Sequence, residues 1–126
     1  MSSTAKSGFT PLERTVLDWI CKRSHEEGVA LAVQISSATI RSRENTGHGF
    51  YTRFDVDRIS TGAIGGKRSQ DLRDGPQAKI AGLQHGMGFI LWLRDGYATH
   101  LEGYGYEEDI AGFDLWDLAF ELSSPE

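Results

Sequence analysis

Apolar residues recur at helical spacing near the start of the chain. Leu12, Val16, Trp19 and Ile20 fall at i, i+4, i+7 and i+8, on one side of a helix. Thr10-Pro11-Leu12-Glu13 supplies the start signal: Thr10 as N-cap, Pro11 at the first helical position, and Glu13 placed to close a capping box. Gly28 is the expected stop after the polar run Lys22–Glu27. Val29, Leu31, Val33 and Ile35 alternate like a strand, yet Ala30–Ile35 fits a second short helix equally well. Further on, the period shifts toward two. Segments 38–44 and 49–56 flank the turn residues Asn45-Thr46-Gly47 and predict a hairpin. Residues 57–77 show little periodicity and read as a long loop, and 79–83 as a short strand. Phe89–Arg94 and Tyr97–Tyr104 flank Asp95-Gly96, the pair that best marks a type I′ hairpin. A two-residue loop there would put Phe89, Leu91 and Leu93 on one face with Ala98, His100 and Glu102, and Ile90 and Trp92 on the other with Leu101 and Thr99. With large apolar groups on both faces, this hairpin should be central and at least partly covered on both sides. In the tail, Trp116, Leu118, Phe120 and Leu122 alternate as in a strand, with a helical stripe through Leu115, Trp116, Ala119 and Phe120 as the other reading; the strand is preferred for 113–122.

These elements amount to an α+β domain: an N-terminal helix, or two, packed on an antiparallel sheet of four to six strands. Residues 1–9 are expected to be a disordered tail and 10–126 a single domain. Val16, Trp19, Ile20, Ile90, Leu91, Leu93 and Leu101 are the expected core. A chain of 126 residues can bury roughly two-thirds of its unfolded surface, enough for a core without staples. Its 39% hydrophobic and 25% charged content excludes a disordered or collagen-like chain. The longest apolar run, Phe89–Leu93, is far short of a membrane span, and Met1–Gly8 carries no apolar signal core, so a cytoplasmic protein is expected.

Charge changes the picture. The net charge of −5 disfavours direct nucleic-acid binding. It is also unevenly spread: 102–126 holds eight acids and no Lys or Arg, while 1–101 carries +3. Tyr104, Tyr106, Glu107, Glu108, Asp109, Asp114 and Trp116 interleave rings with carboxylates in that stretch. Aromatics give stiff contact area and carboxylates steer Arg and Lys, so this set suits docking to a basic protein. A solvated acidic face is the alternative.

Other chemistry is less well specified. Gly62–Ser69 approaches a phosphate-loop pattern, but position 61 is Thr and Arg68 separates Lys67 from Ser69, so a surface loop is the better reading. His25, His48, His85 and His100 show no metal-ligand spacing, although His48, His85 and His100 all fall in the strand-rich region; no metal and no cofactor are expected. His100 and Glu102 share a strand face and could serve as acid or base, or simply pair. The single Cys21 excludes an internal disulfide and reads as a small packed residue.

Gly47-His48-Gly49-Phe50-Tyr51-Thr52, Gly86-Met87-Gly88-Phe89 through Asp95-Gly96, and Leu101-Glu102-Gly103-Tyr104-Gly105-Tyr106 resemble a group of small bacterial proteins without an established activity, as does the opening Pro11-Leu12-Glu13. The resemblance spans roughly 10–110, and the tail after Asp109 departs from it. It implies a compact bacterial domain and brings no site residue with it. The functional expectation is therefore a non-enzymatic, inhibitor- or immunity-type module that caps a basic surface of a partner, such as a nuclease or another nucleic-acid-binding protein, with no membrane partner. The competing expectation is a small enzyme or ligand-binding domain with His48, His100 and Glu102 in a pocket between the sheet and the 57–77 loop. A homodimer through an edge strand is a third option.

Overall fold

The computed structural model describes residues 8–65 and 71–123. Helix α1 spans Pro11–Arg23 and starts as its sequence dictates: Thr10 Oγ1 accepts from the Glu13 N–H at 3.1 Å, and Glu13 Oε1 accepts from the Thr10 N–H at 2.8 Å. It stops at Arg23 rather than at Gly28, with the Ser24 hydroxyl donating to the Ile20 carbonyl at 2.6 Å. A turn of 3-10 helix, His25–Glu27, leads into α2, Gly28–Ser36. Gly28 thus opens the second helix, at a position where a Cβ would collide with the Cys21 carbonyl. The Val29–Ile35 alternation is helical: Leu31 and Gln34 face inward while Val29 and Val33 are exposed.

Six strands follow: β1 Thr39–Asn45, β2 Gly49–Asp55, β3 Asp71–Ile80, β4 Met87–Arg94, β5 Tyr97–Gly105 and β6 Phe120–Ser123. Their order is β1-β2-β5-β4-β3-β6, every neighbour antiparallel, so the fold is α+β with the helices N-terminal to the sheet. The β1–β2 hairpin lies where the sequence places it. The last third of the stretch expected to be loop, 71–77, is strand β3, whose period is masked by charges and by a shift in register between Asp74 and Gln77. Lys79 and Ile80 end β3 instead of opening a strand at 79–83; Gly82, at φ +97°, turns the chain. In the tail only Phe120–Ser123 is strand. The preceding segment turns because the Asp114 carboxylate accepts from the Trp116 N–H at 3.0 Å and its carbonyl from the Asp117 N–H at 3.0 Å.

Asp95 (φ 54°) and Gly96 (φ 86°) both adopt the left-handed backbone that the β4–β5 turn requires. Arg94 pairs with Tyr97 and Leu93 with Ala98, as expected. Then one extra residue, Thr99, enters β5 and Trp92 pairs with His100. This bulge turns the remainder of β5 over. Leu101 and Gly103 now lie with Leu91 and Phe89, while His100 and Glu102 lie with Trp92 and Ile90. The facing expected from a uniform register is therefore reversed beyond the bulge.

One face of the sheet carries the core. Val16, Leu17, Ile20 and Leu31 pack against Phe50, Phe89, Leu91 and Leu101. Gln34 locks this layer: its amide donates to the Gly62 and Gly96 carbonyls at 2.7 and 2.9 Å, and its oxygen accepts from the Ala98 N–H at 2.9 Å. Phe9 is buried, edge-on to Phe54 at 5.2 Å, so the ordered domain reaches back into the segment expected to be a tail; residues 1–7 lie outside the described range. The β4–β5 hairpin is central, but it is covered by the helices on one face only. Tyr51, Ile90, Trp92, His100, Glu102 and Tyr104 on the opposite face are half-buried, held by their neighbours in the sheet. Of the expected core, Trp19 and Ile90 are half-buried and the others buried. Among the described residues, no helix is long and apolar enough to cross a membrane.

Candidate functional site

Three connections meet at one end of the sheet: the β1–β2 turn, the β3–β4 turn and the segment after β5. Ile110 ties the first of these to the last. It is buried, its N–H donates to the Gly47 carbonyl at 2.9 Å, and its carbonyl accepts from Asn45 Nδ2 at 2.9 Å. The acids beside it have local work as well. Glu108 accepts from the Gln84 and His85 N–H groups, one with each oxygen, both at 2.8 Å. These two bonds hold its carboxyl below the usual range, with a smaller contribution from the His85 charge. Asp109 accepts from the Ala111 N–H at 2.8 Å. Glu107 sits at φ 67°, a left-handed backbone rare outside glycine.

Gly47, His48, Glu107, Glu108 and Asp109 line an open pocket of about 520 Å³. Among the described residues, no Lys or Arg pairs with Glu107, Glu108, Asp109 or Asp114. A concentrated negative charge thus faces solvent with no Lys or Arg of the described residues against it. The rest of the expected docking set divides. Tyr104 and Tyr106 stand edge to face at 5.7 Å, Tyr106 donating to Gln77 Oε1 at 2.7 Å. The Tyr104 ring lies across Gly88, where a Cβ would collide with it, and burial pushes its phenol pKa up. Trp116 does not line that pocket; it is half-buried under the Arg43 guanidinium at 5.3 Å. Asp114 caps the turn that leads to Trp116.

The competing trio is placed on the open face. His48 and Glu102 line a smaller pocket of about 100 Å³ with Tyr51 and Tyr104. His100 lies next to it, its ring 6.1 Å from Tyr51 and stacked on Trp92 at 5.8 Å. Burial, then the Arg53 charge, pull its pKa below the ordinary imidazole value, and Glu102 opposes them. Glu102 accepts from Trp92 Nε1 at 3.0 Å. This pocket is not beside the loop after β2, which docks at the far end of the sheet through the Ile64 N–H and the Gly96 carbonyl at 2.8 Å. Of the phosphate-like stretch, 66–69 lie outside the described residues.

Among the described residues, no group of three His, Cys, Asp or Glu is placed to hold a metal, so His48, His85 and His100 do not form a ligand set. Burial, with a smaller push from Asp18, drives the Cys21 thiol up to about 11 and leaves it protonated near neutrality. The capping duties of Asp109 and Asp114 have a sequence signal in Asp-x-Ala and Asp-x-Trp, since a carboxylate two residues before an N–H is the spacing of an Asx turn. Glu108 has none, because its partners are about two dozen residues away. No family model, curated protein or solved structure matches the chain.

Proposed function

We propose that the chain is a non-enzymatic protein-binding module, of inhibitor or immunity type, that caps a basic surface of a partner such as a nuclease or another nucleic-acid-binding protein. One observation carries this reading: Glu107, Glu108 and Asp109 converge on a single open pocket, and among the described residues no Lys or Arg pairs with them. The pocket would take an Arg or Lys side chain of the partner. Tyr104, at the edge of the adjoining pocket that shares His48, would supply apolar contact. Trp116 drops out of the docking set because its ring is committed to Arg43.

Backbone strain supports the same place. A non-glycine residue in the left-handed region costs about 1 kcal/mol or more, and such residues gather where function outweighs stability. Glu107 is one of two in the described chain, and the other, Asp95, is explained by its hairpin turn. Exposed ion pairs contribute about 0.2–1 kcal/mol each, so the acids would set orientation and association rate, with affinity coming from a desolvated contact at the pocket.

Calorimetry with an arginine-rich peptide tests the reading. Replacing Glu107→Gly and Asp109→Asn together should weaken binding about tenfold or more, while Asp18→Asn with Glu26→Gln, on the helical side, should leave it within twofold. The Glu107→Gly change alone should not lower the melting temperature, since it relieves strain. Equal losses from both pairs of substitutions would reduce the interaction to bulk charge and overturn the proposal.

A further inference from the structure

At the far end of the β2–β5 pair, about 20 Å from the acidic pocket by strand rise, the charge reverses. Arg41, Arg53 and Arg58 line a cleft of about 200 Å³ together with Thr99, His100 and Asp55. Three arginines lining one small cleft offer donors of the kind that matches phosphate oxygens. Their internal partners are weak. Arg41 meets Asp55 through a single contact at 3.5 Å and Arg53 meets Glu44 at 3.3 Å, all four side chains well exposed. Among the described residues no carboxylate pairs with Arg58; it lies over the Tyr97 ring at 4.6 Å. Tyr51 likewise carries Arg53 at 5.2 Å. The rings hold the guanidinium planes in place and leave their edge N–H groups for a ligand. The Thr99 bulge is what brings its own hydroxyl and His100 to the cleft, joined at 3.2 Å between Oγ1 and Nδ1.

We propose that this cleft is a binding site for a small phosphate-type dianion, either inorganic phosphate or the phosphoryl group of a small phosphomonoester. Its volume admits one phosphate and a few further atoms. A nucleic-acid backbone is a poorer fit, because it needs an extended basic track and the chain is net negative. Arg41, Arg53 and Arg58 hold the oxygens, and the dianion takes the place of Asp55 and Glu44 against the guanidinium groups.

Titrating the full chain with inorganic phosphate and with glycerol phosphate, at constant ionic strength, and following backbone amides by NMR tests this. Saturable shifts confined to 41, 53–58 and 98–100 are expected. Arg53→Gln with Arg58→Gln should weaken binding at least tenfold without altering the melting temperature, the substituted side chains being on the surface. Asp55→Asn should tighten it severalfold by removing the competing carboxylate, an effect that a merely structural cluster would not give. Stronger response to glycerol phosphate than to phosphate identifies an ester as the ligand, and an equal response identifies the free ion. Shifts that fail to saturate, persist in the double variant, or are exceeded by a length-dependent response to single-stranded oligonucleotide overturn the proposal.

Discussion

Replacing Glu13→Ala should be among the most damaging single substitutions in this chain. Glu13 is 1% exposed, yet its carboxylate accepts four hydrogen bonds: from the Thr10 N–H, from Arg43 Nε and Nη2, and from the Thr52 hydroxyl. It joins the start of α1 to β1 and β2, and Arg43 carries the connection on to the Trp116 ring. Truncation removes an N-terminal cap interaction, worth about 1 kcal/mol. It also leaves Arg43 without its carboxylate; breaking a buried pair from one side costs about 3–5 kcal/mol. Arg43 is 18% exposed and can recover part of that from water, so about 3.5 kcal/mol in total is the expected loss. For 126 residues the unfolding entropy is about 0.26 kcal/mol/K, which converts this to a fall of about 13 °C in melting temperature. Thermal and urea unfolding of Glu13→Ala, Arg43→Met and the double variant measure it. The double variant should be more stable than the sum of the single losses implies, by more than about 1 kcal/mol, because each single change strands the other's charge. A loss under about 1 kcal/mol for Glu13→Ala, or simple additivity, would refute the reasoning.

Gly103→Ala should destabilise by about 1–3 kcal/mol, because the new methyl meets the Phe50 ring in a filled core; a neutral result in urea unfolding would mean that Phe50 has room to move. In NMR titration His100 should have a pKa below the ordinary imidazole value, so protonation opposes folding and stability is lost as pH falls through that value. Arg53→Gln should raise this pKa part of the way, burial being the larger cause, and Glu102→Gln should lower it further; the reverse order would contradict the assignment. Cys21 should react with a thiol reagent at pH 8 more slowly than a free cysteine, because little of it is thiolate at that pH. Its thiol holds a proton more tightly in the fold, so it withdraws stability as pH rises from 9.0 towards about 11, and Cys21→Ala should flatten that decline in melting temperature.

The sequence made local structure legible and long-range structure much less so. Thr10, Pro11 and Glu13 state their helix start in four consecutive residues, and Asp95-Gly96 names its turn. Nothing local marks Thr99 as the extra residue of a bulge, although it decides which face His100 and Glu102 occupy. Strand β3 escaped notice because its apolar positions gather at one end and its other half is charged. The acidic concentration was readable as composition, and three of its carboxylates do share a pocket. The Trp116 contact has no local signal because its partner, Arg43, is seventy-three residues away, and that partner is held by Glu13 on yet another element. The arginine cleft has no local signal for a similar reason: Arg41, Arg53 and Arg58 come from three segments. Arg73 is taken up by Glu27 and Asp71 at 2.8 and 2.9 Å.

The docking account is tested most directly by locating the contact. Backbone amide shifts of the full chain, recorded while an arginine-rich peptide is added, should be largest and saturable at 47–48 and 107–109, smaller at Tyr104, and near zero at 113–119. Shifts spread evenly over every exposed acid, or centred on the helices, would contradict it.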